Sequence, residues 1–209
     1  MTYQVNRRFA WLLLGVIVIA AALIVWLAPA EQTIGAAIKY VYVHVALTRA
    51  GMYGYYLAAL LGLAIAVTAN ARWQRWTQIV GWVAFILFLA GGIVSLLAEQ
   101  FTWGGIPWSE PRNVTTLNVI AFSLVVLIAN TWLPWVRVRG LLYTVLGGYV
   151  AWVIPRTPLV LHPEDPVSTS SSVGIQWTFL GLTALALLLG VWLVWYWIIT
   201  SREHSRGAT

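Results

Sequence analysis

The sequence predicts an all-α membrane protein: a polytopic bundle of six transmembrane helices with both termini cytoplasmic. Three observations lead there. Several uninterrupted apolar runs reach the ~20 residues needed to span a hydrocarbon core. Of the 209 residues, 61% are hydrophobic and only 9% are charged. Six such spans use most of the chain, so residues 1–209 read as a single integral membrane domain. The runs do not alternate with a period of two, which excludes the wall of a β-barrel.

The first span covers 9–27, behind Arg7 and Arg8. A signal peptide is the rival reading, because Ala28-Pro29-Ala30 offers small residues for cleavage. The apolar run is longer than the roughly 7–15 residues of a leader's apolar region, which favours a retained helix. Residues 31–47 have mixed periodicity. Alternation groups Tyr40, Tyr42 and His44, whereas a helix groups His44 with Tyr40, Val41 and Thr48. On either reading His44 lies at the edge of the second span, 48–68. That span carries small residues at every fourth position: Ala46, Ala50, Gly54, Ala58, Gly62 and Ala66. Such a ridge lets helix backbones approach closely in lipid. It drifts by ~40° per step at 3.6 residues per turn, so different partner helices are expected to use different parts of it.

The third span is 76–98, with Gly91-Gly92 marking a flexible or tightly packed point, and the fourth is 115–135. A shorter fifth span, 140–154, contains Gly147-Gly148, and the sixth runs over 175–200. Between the third and fourth lies the most distinctive stretch, 99–113, reading E-Q-F-T-W-G-G-I-P-W-S-E-P-R-N. Pro107 and Pro111 remove backbone donors, and Gly104 and Gly105 permit left-handed backbone. A shaped loop presenting Trp103 and Trp108 beside charge is expected. The plain alternative is an interhelical loop whose tryptophans sit in the membrane interface. A second long polar loop covers 155–174.

Arginine and lysine set the orientation. Arg7, Arg8, Arg72, Arg75, Arg137, Arg139, Arg202 and Arg206 fall on one side, and Lys39, Arg49, Arg112 and Arg156 on the other. The positive-inside bias then puts the termini in the cytoplasm and the long loops outside, as for a multi-pass protein of the cell membrane. The formal charge of +6 reads as this topology, not as nucleic-acid binding, because the basic residues are scattered over short loops. With no cysteine, a disulfide, a thiolate-bound metal and a thioether link to haem are all excluded.

On this orientation His44, His162 and the tryptophan loop share the outer face, while His204 lies in the cytoplasmic tail. No Asp, Glu, Lys or His falls mid-span, so a proton relay or ion-coupled permease has little support. Two imidazoles, flat aromatic walls and nearby cations suit haem, which needs axial ligands, apolar contact and partners for its propionates. Without cysteine, and with few spare carboxylates, the same residues make a poor zinc or copper cage. An interfacial histidine is also commonly just hydrogen-bonded or solvated, and that alternative stands for each one. Of the 14 tryptophans, eleven, Trp192 among them, fit aromatic belts at the two membrane interfaces. Trp82 is expected to pack within its span.

The stretch I-K-Y-V-Y-V-H-V-A at 38–46 resembles the start of the second helix of haem exporter protein C in the cytochrome c assembly family. Trp103-Gly104 with Trp108, Glu110 and Arg112 resembles that family's tryptophan-rich signature, W-G-x-W-W-x-W-D-x-R. Here the ten residues are W-G-G-I-P-W-S-E-P-R, with Ile106, Pro107 and Ser109 at tryptophan positions and Glu110 in place of Asp. Leu161-His162-Pro163 sits where the family has its second histidine. The resemblance implies haem b bound at the outer membrane surface and passed on to a haem chaperone, together with ABC-transporter subunits, and no chemical turnover. His44 and His162 would be the axial ligands of the iron, and Trp103 and Trp108 would stack on the macrocycle, with Phe101 nearby. Arg112, then Arg156 or Lys39, would meet the propionates, and Glu110 completes the set. The alternative is a structural subunit that docks partner helices and has lost haem. Membrane lipid surrounds either one.

Overall fold

The computed structural model describes residues 7–161 and 170–206, with side chains as far as Ser201. His162, Glu164 and Asp165 lie outside the described residues, and His204 is described only as helix backbone. Six helices account for the architecture: α1 (Arg7–Leu27), α2 (Ile38–Thr68), α3 (Gln74–Trp103), α4 (Pro111–Trp132), α5 (Val136–Val153) and α6 (Val173–Arg206). All six are long and apolar enough to cross a membrane. They run alternately up and down. The α1–α2 and α3–α4 connections and the described ends of the α5–α6 connection gather at one end of the bundle, here termed the loop end. The short α2–α3 and α4–α5 connections, the start of α1 and the end of α6 gather at the other, the terminal end.

The spans differ from the expected bounds most at the loop end. α2 begins at Ile38, ten residues before the expected 48, so His44 lies almost two turns inside the helix and not at its edge. Lys39 and Arg49, counted above as loop cations, are also within α2. α3 continues through Glu99 and stops only where Gly104 takes a left-handed φ of 73°. α4 starts at Pro111; proline lacks an N–H, and the first helical position is one where an N–H would have no intrahelical partner. The loop is therefore 104–110, shorter than the expected 99–113. Trp103 is the last residue of α3, and Arg112 and Asn113 are in the first turn of α4.

α2 is the central helix, packing most extensively on α3 and α5 and then on α6, while α1 lies mainly against α6. The small-residue ridge explains how one helix holds several partners. A Cβ on Gly54 would fall 2.7 Å from Ala84 Cβ, and one on Gly51 beside the ridge 2.6 Å from Phe88 N, so the upper ridge is pressed against α3. A Cβ on Gly62 would fall 2.6 Å from Gly140 O, so the lower ridge is pressed against α5. Gly91 of α3 is a tight contact, since its Cβ would lie 2.4 Å from Thr48 Oγ1. Two apolar clusters follow from this division. One joins Tyr42, Ala46 and Ala50 to Leu87 and Phe179; the other joins Tyr55 and Ala58 to Phe88, Leu127, Leu146 and Val150.

One tryptophan expected in the interfacial belt is instead a core residue. Trp192 is buried, donates from Nε1 to Ala10 O at 3.0 Å, and stacks on Tyr196 with centroids 4.9 Å apart. A buried indole N–H needs an acceptor, and this one fastens α1 to α6 near the terminal end. Trp82 packs edge-on against Phe85, as expected. At the loop end, Glu31 Oε2 accepts from the amides of Thr33 at 2.7 Å and Ile34 at 2.9 Å. These amides hold its carboxyl below the ordinary carboxylate range. The lowered pKa stabilises this turn at neutral pH, and the contribution is lost as pH falls through the folded value.

Candidate functional site

The loop end is built around two buried carboxylates. Glu99, on the last turns of α3, is 2% exposed, and Glu110, the residue before α4, is 3% exposed. A buried carboxylate is costly unless hydrogen-bonded, and each has such partners. Asn113 Nδ2 donates to Glu99 Oε2 at 2.8 Å, and Ser95 Oγ donates to Glu99 Oε1 at 3.3 Å. Asn113 Nδ2 also donates to Pro107 O at 3.2 Å, so one amide holds α3, α4 and the middle of the 104–110 loop together. Glu110 N closes the loop on Pro107 O at 2.9 Å.

Glu110 faces the other way. Its Oε1 lies 3.5 Å from both Val160 N and Leu161 N, and so clasps the segment after α5. Arg112 Nη1 donates to Ile154 O at 3.1 Å, and Thr157 Oγ1 donates to Thr115 Oγ1 at 2.9 Å. Three residues at the start of α4, Glu110, Arg112 and Thr115, thus hold residues 154–161. That segment ends one residue before His162, whose own position lies outside the described residues.

The other half of the loop end is the α2–α3 contact. Tyr40 stacks on Phe101 with centroids 4.8 Å apart and planes at 12°. His44 is one turn further along α2 on the same face. It is partly buried, its Nδ1 is a buried atom, and its backbone carbonyl packs beside Gly91. Trp103 is 37% exposed at the end of α3, and Trp108 is 58% exposed at the tip of the loop. The sequence-predicted residues therefore fall into two groups. His44, Phe101 and Trp103 belong to the α2–α3 half, and Glu110 and Arg112 to the α4–α5 half. The Glu99–Asn113 bond joins the halves.

Two expected propionate partners are turned elsewhere. Lys39 Nζ donates to Trp26 O at 2.7 Å, on the α1 side of α2. Arg156 Nη1 donates to Trp152 O at 3.2 Å, with its guanidinium 5.7 Å from the Trp152 ring centroid. Arg112 is nearest the tryptophan loop in sequence, but its bond to Ile154 O makes it part of the clasp. Glu110 is buried, so its observed role is to hold segments and not to present a surface charge. Glu99 and Asn113, absent from the sequence-based candidates, are the residues that shape the loop. The legible signal was an acid and an amide flanking a stretch broken by Gly and Pro.

Asn113→Ala removes two donated bonds and leaves Glu99 Oε2 without one of them, a loss of about 1–3 kcal/mol. We expect a lower unfolding temperature in detergent and faster amide exchange over 104–110. Wild-type exchange in that loop would show that Asn113 does not hold it.

Among the described residues no group of three or more histidine, cysteine, aspartate or glutamate side chains is placed to hold a metal ion. What the loop end offers is one imidazole at the α2–α3 contact, two exposed indoles and a buried polar clasp. Compared with known protein families and with curated proteins, the chain matches none.

Proposed function

We propose that this chain is a haem-handling protein of cytochrome c biogenesis, binding haem b as cargo at the loop end, on the outer face of the cell membrane. It would pass the haem to a chaperone and work with ABC-transporter subunits, as the resemblance of 38–46, 103–112 and 161–163 implies. The observation that carries this reading is the Glu110 clasp, with Oε1 3.5 Å from Val160 N and Leu161 N. It tethers the tryptophan loop to the chain immediately before His162. His44, through the Nε2 atom distal to its backbone, and His162 would hold the iron. Trp103 and Trp108 would cover the macrocycle. Arg112 is the cation best placed by sequence for a propionate, at the cost of its bond to Ile154 O. Haem titration of the purified protein should give a saturable Soret band at one haem per chain.

A second reading has its own support. Lys39, Arg112 and Arg156 each donate to a backbone carbonyl, which suits a subunit that keeps the framework and docks partners without haem. Colourless protein that fails to bind haem while remaining in a complex would favour it.

Topology is tested separately. Reporter fusions after Arg75 and Arg139 should read cytoplasmic, and fusions near Glu110 and Asp165 external. A cytoplasmic signal at either loop-end position would remove the shared outer face that both histidines require.

A further inference from the structure

A groove of about 550 Å³ runs between α1, α2 and α6, on the side of α2 away from the tryptophan loop. Ile17, Ala21 and Ala22 of α1, Val43 of α2 and Leu185 of α6 supply an aliphatic wall, and Lys39 is its one charged residue. The groove extends along α1 from Ile17 to Trp26, about 14 Å at 1.5 Å per residue. That is close to half of a ~30 Å hydrocarbon core, and it is the half nearest the loop end. Lys39 lies at the loop-end mouth, where its Nζ touches Trp26 O at 2.7 Å. One bond leaves an ammonium group two further donors.

Shape and charge select the occupant. The groove's walls are aliphatic along about 14 Å of α1, a surface that a hydrocarbon chain can lie along. The single cation, Lys39, is in the first turn of α2, and a basic side chain at the end of a spanning helix attracts anionic lipid. We propose that this groove is a phospholipid site: an acyl chain from the loop-end leaflet lies between α1, α2 and α6, and the phosphate of the same lipid meets Lys39. The lipid completes the packing of α1, which on its own buries only Ala10 and Ile17 in the bundle. This site is independent of whether the loop end binds haem.

The test is native mass spectrometry of the full chain in detergent, titrated with dioleoylphosphatidylglycerol or with dioleoylphosphatidylcholine. Wild type should retain one lipid, with the anionic one bound more tightly. Lys39→Gln should weaken phosphatidylglycerol about fivefold and abolish the preference. Ala22→Phe, at an exposed position of the groove wall, should weaken both lipids by about tenfold or more, because it occupies the space of several methylenes. Leu60→Phe, on an exposed face of α2 outside the groove, should change neither. The site is refuted if Ala22→Phe binds as wild type, if Leu60→Phe has the same effect as Ala22→Phe, or if Lys39→Gln keeps the preference. If Ala22→Phe leaves lipid binding unchanged but dissociates a dimer, a second copy covers the groove and the lipid proposal fails.

Discussion

Haem-loaded wild-type protein is expected to show a low-spin bis-histidine spectrum, and His44→Ala and His162→Ala each a high-spin spectrum or loss of haem. On the proposed haem reading this is the largest functional effect, because each change would remove an axial bond to iron. The two positions test different parts of the structure. His44 sits inside α2 with Nδ1 buried, so its variant tests a proposed ligand carried by a helix. His162 follows a segment anchored by the long contacts to Glu110 Oε1, and its variant tests the second proposed ligand. Added imidazole should restore the low-spin spectrum in both, since it can fill the vacated axial position. Trp108→Ala should weaken retention and leave the ligation unchanged, because an indole supplies contact area and not a bond to the metal. Circular dichroism separates loss of ligand from loss of fold. Wild-type spectra in both histidine variants, with haem still bound, would show that other residues ligate the iron.

The bundle was far more legible than the site. Six apolar runs mark every helix, because burial in lipid leaves few alternatives to a helix. The bounds failed where polar residues continue a helix beyond its apolar part. Lys39 and His44 in α2, and Glu99 in α3, looked like loop residues because they are polar. Nothing in their neighbourhood breaks a helix before Gly104 or between 38 and 47. The breakers were read correctly as a turn but given too wide a range. The buried roles of Glu99, Glu110 and Asn113 were hidden for another reason. Period and composition say which face of a helix is apolar, but not that two carboxylates beside a loop will turn inward to bind amides. Trp192 shows the same limit. Its place in the sequence suits an interfacial belt, and only the proximity of Ala10 O on a helix 182 residues away makes it a core residue.

Gly140→Val is expected to unfold or loosen the bundle, while Gly148→Val, two turns further along α5, leaves it intact. The difference lies in what each side chain would meet. A Cβ on Gly140 would stand 2.5 Å from Gly62 O and 2.7 Å from Ala66 N, and a Cβ on Gly148 has nothing within 4 Å. The atoms facing Gly140 are backbone, so relief requires α2 and α5 to separate. Separation is costly in lipid, where close packing and not water exclusion holds helices together. A gap of 0.5–1 Å already forfeits roughly a quarter to a half of each dispersion contact. Overpacking of this kind costs about 1–3 kcal/mol and sometimes more, and the same contact supports the cluster of Tyr55, Tyr143, Leu146 and Val150. Helix propensity pushes the other way, since valine is a better helix former than glycine. Gly148→Val should therefore be neutral or slightly stabilising, which makes it a control for composition and position in one helix. Thermal unfolding in detergent, followed by the loss of the monodisperse peak, reads both. Equal melting temperatures for the two variants would mean that α2 and α5 do not cross at Gly62 and Gly140.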